Sequence, residues 1–87
     1  MNYVYVLLSE VDKQFYTGAT TDLKKRFEMH NAGEVSSTAN RRPLRLIYYE
    51  ACISKEDSFR REKYLKTGMG KRYIRNRLKD TLITLTG

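Results

Sequence analysis

Apolar and polar positions fall into blocks along the chain. Tyr3 to Leu8 is β-branched, aromatic and apolar with no polar face, which predicts a strand buried on both sides. Ser9 to Gln14 reads as a polar turn, and Phe15-Tyr16-Thr17 as a second short strand ended by Gly18. That spacing predicts an antiparallel hairpin. Thr20-Thr21-Asp22 offers N-cap chemistry, and the run LKKRFEMHNAG predicts a helix closed by Gly33. On it Leu23, Arg26, Phe27 and His30 share one side, while Lys24, Lys25 and Glu28 face water.

Glu34 to Pro43 is polar and predicts a loop, with Pro43 favouring an extended lead into a strand from Leu44 to Ala51. Ser54 with Asp57 resembles a capping box before a helix from Lys55 to about Thr67. Gly68 and Gly70 break that helix, and Lys71 to Asp80 predicts a final basic one. The tail 81–87 has strand-like composition and either pairs at an edge or frays. The expected order is β-β-α-β-α-α. This is an α+β domain over residues 1–80, with a small, mainly antiparallel three-stranded sheet flanked by helices, followed by the tail.

With 87 residues the chain is near the lower end of what folds unaided, so one domain is expected. Its net charge of +7 suits a polyanionic partner, nucleic acid or an anionic membrane surface. The charge is concentrated. From Arg60 to Lys79 there are nine Lys or Arg against one acid, Glu62, so that stretch carries +8 and the rest of the chain −1. A membrane-surface role ranks last, because the segment RYIRNRL has too few apolar residues for stable anchoring. Cys52 is the single cysteine, so no intrachain disulfide forms. No signal peptide or membrane span is evident, and cytoplasmic residence is expected by default.

Tyr3-Val4-Tyr5, followed about ten residues on by Tyr16-Thr17-Gly18, resembles the paired motif of the GIY-YIG nuclease superfamily. That family expects an Arg on the following helix, where Arg26 stands, and in several branches a His one turn later, where His30 stands. It expects a metal-ligating Glu on a later helix, which Glu62 in RREKYLK matches, and in some members an Asn beyond it, for which Asn76 is the candidate. The resemblance covers residues 2 to about 79 and is nearest to the small stand-alone single-domain members. Tyr3 replaces the Gly of the first motif and Thr17 the Ile of the second. Ala19 stands where some members carry a basic residue.

The resemblance implies phosphodiester hydrolysis. Glu62 would ligate one Mg²⁺ or Mn²⁺, and hard oxygen ligands suit Mg²⁺. Arg26 would hold the phosphate with its planar fork, and His30 on the same helix face would relay protons or bond a phosphate oxygen. Tyr16 would act as the base for water with Tyr5 positioning it, provided nearby positive charge lowers its pKa. Each residue also has a plainer reading: core packing for the two tyrosines, a snorkelling Arg26, a structural His30, and an ion pair of Glu62 with a neighbouring base. Arg41, Arg42, Arg45, Lys66, Lys71, Arg72, Arg75, Asn76 and Arg77 would track the nucleic-acid backbone.

Three functions fit this sequence. One is a metal-dependent endonuclease acting on DNA by shape, of the repair or recombination type. Another is a non-catalytic nucleic-acid-binding module. The third is a partner subunit of a larger repair complex. No interface signature separates a monomer from a transient dimer.

Overall fold

The computed structural model describes residues 1–86. Its elements are β1 (Asn2–Ser9), β2 (Phe15–Thr20), α1 (Leu23–Asn31), a 3-10 turn (Ala39–Arg41), β3 (Leu44–Cys52), α2 (Lys55–Leu65), α3 (Gly68–Arg77) and α4 (Lys79–Thr86). The sheet has the order β2-β1-β3, with both pairs antiparallel. The uninterrupted apolar run of β1 has its cause here. β1 is the central strand, and Val4 to Leu8 are buried whichever way they point.

Alternate residues of β1 feed two cores. Val4 and Val6 pack with Leu65 of α2 and Ile74 of α3 on one face. Tyr5 and Leu7 pack with Leu44, Leu23 and Phe27 on the other, under α1. The expected fold class therefore holds: a three-stranded antiparallel sheet between helices.

α1 begins where Asp22 accepts a hydrogen bond from the Lys25 amide at 3.1 Å. It ends at Ala32, after which Gly33 takes φ +80, the left-handed conformation that closes a helix. Asn31 then clamps Leu44. Its side-chain amide donates to the Leu44 carbonyl and its oxygen accepts from the Leu44 amide, both at 2.9 Å. That pair ties the end of α1 to the start of β3.

Three expectations change. Gly18 does not end β2, which runs on to Thr20. Gly68 and Gly70 do not lie in a break between helices; they form the first turn of α3. Thr67 caps that turn, accepting from the Gly70 amide at 3.1 Å and donating to the Tyr64 carbonyl at 2.6 Å. The tail is helix, not strand, as far as Thr86, and Gly87 lies outside the described residues. Its threonines and Ile83 have β-type composition, yet Leu78, Leu82 and Leu85 recur at helical spacing and turn inward together. The Leu82 amide bonds the Leu78 carbonyl, joining α4 to the end of α3.

The α2–α3 corner is tight enough to exclude a methyl group. A Cβ on Gly70 would stand 2.1 Å from the Tyr64 carbonyl oxygen, whereas one on Gly68 would meet nothing within 4 Å. Gly70→Ala is therefore expected to lower unfolding stability by about 1–3 kcal/mol, the usual cost of overpacking. Gly68→Ala is expected to be neutral or to stabilise by up to ~1 kcal/mol. Urea denaturation of the two variants side by side checks this, and equal midpoints would contradict the geometry.

Candidate active site

The register of the hairpin sets the site. Tyr5 of β1 lies opposite Gly18 of β2, and Leu7 opposite Tyr16, so both tyrosines point to the α1 face. A side chain at Gly18 would put its Cβ 2.5 Å from the Tyr5 hydroxyl. Glycine is required there for room, not for an unusual φ. The hydroxyl lies over the bare backbone of β2.

From α1, His30 reaches the same place. Tyr5 Oη and His30 Nε2 are 2.8 Å apart, and His30 Nδ1 and Thr38 Oγ1 are also 2.8 Å apart. The Tyr16 ring stands edge-on to His30 at 5.0 Å between centroids and tilted to Tyr5 at 6.4 Å. Tyr5 is 1% exposed, and His30 and Thr38 are fully buried, while Tyr16 is half-buried. Arg26 lies one turn before His30, with its guanidinium against the Tyr5 hydroxyl and its charge also felt at Tyr16.

The electrostatics follow from this packing. Burial pushes the Tyr5 pKa up, against the pull of the Arg26 guanidinium. Burial, with the Arg26 charge beside it, pushes the His30 imidazole down to about 4. His30 is therefore neutral at pH 7. Arg26 is itself held more firmly protonated, first by the Tyr5 hydroxyl.

Glu62 comes from α2, near enough for its charge to act on Tyr5. Its carboxylate pairs with Lys66 at 3.1 Å, the ion pair that its position on the helix suggested. The Glu62 side chain is 23% exposed and that of Lys66 55%, so the cation sits on the water side of the pair. Among the described residues no three His, Cys, Asp or Glu gather into a metal-binding group. A lone carboxylate still fits a hard cation that keeps most of its waters. Of the five candidate catalytic residues, the structure brings Tyr5, Tyr16, Arg26 and His30 into one cluster, with Glu62 at its margin.

The candidate nucleic-acid contacts divide. Arg41 ion-pairs with Asp12 at 2.7 Å and donates to the Gln14 and Phe15 carbonyls, which fastens the hairpin. Arg42 donates to the Ala39 carbonyl at 2.7 Å, and Arg45 pairs with Glu10 at 3.0 Å. Lys71, Arg72, Arg75, Asn76 and Arg77 all project from α3 and are exposed, with the Arg75 guanidinium over the Phe15 ring at 5.1 Å. Arg61 is the cation of the basic stretch most firmly built in. It forks onto Glu50 with bonds of 2.8–3.0 Å and lies over the rings of Tyr64 and Tyr73. Among the described residues no helix is long and apolar enough to cross a membrane.

Thr38 escaped the sequence reading. It lies in a polar loop with no periodicity, and its partner is eight residues away. The one hint was Val35, an apolar residue inside that polar stretch, and it too is buried.

Comparison with known proteins gives a family. The family described as the GIY-YIG catalytic domain matches residues 1–79. A UPF0213 protein of Streptococcus pyogenes serotype M3 is 51% identical over 65 residues, which cover 74% of this chain and 70% of the relative. One from S. pyogenes serotype M5 is 49% identical over the same extent. The solution structure of a UPF0213 protein from Bacillus halodurans is 36% identical. Its match covers 100% of this chain and 87% of that one, with a TM-score of 0.47.

His30 is expected to mark stability with pH. The native state holds the neutral imidazole down to about pH 4, whereas the unfolded chain takes up the proton near 6.5. Below pH 6.5 the unfolded state thus binds more protons and stability falls, by on the order of 3 kcal/mol by the time pH reaches the folded value. The lowered carboxylates Asp12 and Glu50 act only below pH 4.5, so the interval from 6.5 to 4.5 belongs to His30. Thermal unfolding at pH 7, 6 and 5 should show this slope, and His30→Gln should flatten it.

Proposed function

The chain belongs to the GIY-YIG family, which implies nuclease-type chemistry, and on that footing we propose that it is a metal-dependent endonuclease. Its substrate on this reading is DNA, selected by shape as in repair or recombination, in the cytoplasm. The observation that carries the reading is the buried Tyr5–His30 contact at 2.8 Å, with Arg26 against the same hydroxyl. A neutral imidazole bonded to one tyrosine and edge-on to a second, more open one, with a guanidinium beside them, is a means of holding a base next to a bound phosphate.

Tyr16, half-buried, is the base on this reading, and the buried Tyr5 positions it. As a water attacks phosphorus, its proton passes to the Tyr16 phenolate, whose own proton has gone to solvent beforehand, and the leaving oxygen takes its proton from solvent. His30, bonded to Tyr5, stands edge-on to the Tyr16 ring and sets its place. Arg26 holds a non-bridging oxygen and stabilises the charge that develops there.

Glu62 is the residue that would hold Mg²⁺ or Mn²⁺. Such a cation, bound there, supplies positive charge for the phosphate and the departing oxygen. Lys66 pairs with Glu62 from the water side, and would turn to a backbone phosphate once a cation takes the carboxylate. The α3 residues Lys71, Arg72, Arg75, Asn76 and Arg77 extend that positive surface along the nucleic acid. Arg41, Arg42 and Arg45 are engaged within the fold and contribute less.

The Glu62–Lys66 pair also favours a second reading, a binding module whose carboxylate serves only the helix. Cleavage of labelled single-stranded, duplex, flap and branched DNA with Mg²⁺ or Mn²⁺ decides between them. The nuclease reading expects cutting that Glu62→Gln lowers by about 100-fold or more, with nucleic-acid binding retained. No cutting of any substrate, with binding intact, leaves the binding module. In either case Arg72→Ala combined with Arg77→Ala is expected to reduce the salt dependence of binding by about 2 in log–log slope.

A further inference from the structure

Thr38 adds a residue to this machinery, on the reading of Tyr5 and His30 just given. A neutral imidazole carries its proton on one nitrogen only, and which one decides whether Nε2 can accept a hydrogen bond from Tyr5. Two independent constraints bear on that choice, one at each end of the ring.

At the Nδ1 end, Thr38 Oγ1 lies 2.8 Å from the ring and 3.3 Å from the Val35 carbonyl oxygen. A hydroxyl has one proton to donate. The Val35 carbonyl accepts from the Thr38 amide at 3.0 Å and has a second lone pair for the Thr38 hydroxyl proton, which leaves Oγ1 to accept from His30 Nδ1–H. At the Nε2 end, the Arg26 guanidinium lies against the Tyr5 hydroxyl and can only donate. A cation beside the phenol oxygen turns the phenol proton away from itself, towards His30 Nε2 at 2.8 Å, which then accepts it. Both ends favour the same tautomer. All three side chains are at most 1% exposed, so water is not there to supply a substitute partner.

We infer that Thr38 is a positioning residue: its hydroxyl holds the His30 proton on Nδ1, and so keeps Nε2 available to the Tyr5 hydroxyl. The chain of donors runs in one direction, from Tyr5 through His30 and Thr38 to the Val35 carbonyl. The groups that face the ring are Tyr5 from β1, Tyr16 from β2, Arg26 from α1 and Thr38 from the loop. None of them is a carboxylate, so Thr38 takes the orienting part that an acid often plays beside a catalytic histidine.

The test uses nitrogen-15 NMR. His30 is the one histidine in the sequence, so the full chain gives one imidazole spin system. At pH 7 the wild type is expected to show a protonated Nδ1 and an unprotonated Nε2. Thr38→Val keeps the shape and removes the hydroxyl, and should shift the ring towards the Nε2–H form. Thr38→Ser should restore the wild-type pattern. A wild-type ring protonated at Nε2, or a Thr38→Val ring unchanged from wild type, would overturn the proposal. Should Thr38→Val fail to fold, Thr38→Ala takes its place, with the same two outcomes.

Cleavage gives the second readout. Thr38→Val should lower kcat by about 10-fold or more with little change in KM, and Thr38→Ser should recover it. A shifted tautomer with unchanged kcat would remove Thr38 from the catalytic arrangement. If the wild type cuts nothing, the nuclease reading fails, while the spectra still settle which nitrogen Thr38 controls.

Discussion

A hydroxyl group set in the middle of a buried strand must find a hydrogen bond, because leaving it without one costs about 1–3 kcal/mol. Tyr5 faces that constraint at the centre of the sheet, and much of the molecule is arranged around the answer. His30 must project from the inner face of α1, so α1 must begin and end where it does. The imidazole then becomes a buried polar group in its turn, and the loop after α1 must bring Thr38 inward to satisfy it. Asn31, beside His30, fixes the same stretch to β3 through Leu44. Among the described residues no buried side-chain nitrogen or oxygen is left without a partner. The cluster that the proposed chemistry uses is thus also what locks α1 and its following loop onto the sheet.

Positive charge has been divided between structure and surface. Arg61 lies between Glu50 and two tyrosine rings, and Arg41 is tied to Asp12 and two carbonyls. Those cations hold elements together and are unavailable to a partner. The α3 cations have the opposite character: exposed, on one short helix, and packed through Ile74 against the face of the sheet remote from α1. Net charge alone does not distinguish the two groups, since each arginine counts the same in the total.

This division also explains what could be read from the chain and what could not. β1, α1, β3 and α2 were legible because their apolar periods and caps are local: a doubly buried run, Asp22 before Leu23, Ser54 before Lys55. The candidates Tyr5, Tyr16, Arg26, His30 and Glu62 come from their order and spacing, which resemble those of a known family, and the structure gathers the first four. Gly18 was misread as a strand end because glycine usually punctuates. Its actual cause is the Tyr5 hydroxyl across the ladder, a contact that local sequence does not show. Gly70 has the same kind of cause, a close approach of backbone in the corner between helices. The tail was misread because composition outweighed a helical period only two turns long. Thr38 could not be read at all, since a loop carries no period and its partner is fixed only by the fold.

The α2–α3 corner has a mechanical consequence. With the Tyr64 carbonyl standing where any side chain on Gly70 would go, the two helices cannot close further on one another at this corner. The backbone spacing between Glu62 and the cations of α3 therefore has a lower limit. On the proposed function, a nucleic acid that meets both has to span at least that spacing, by its own bending where its phosphates lie closer.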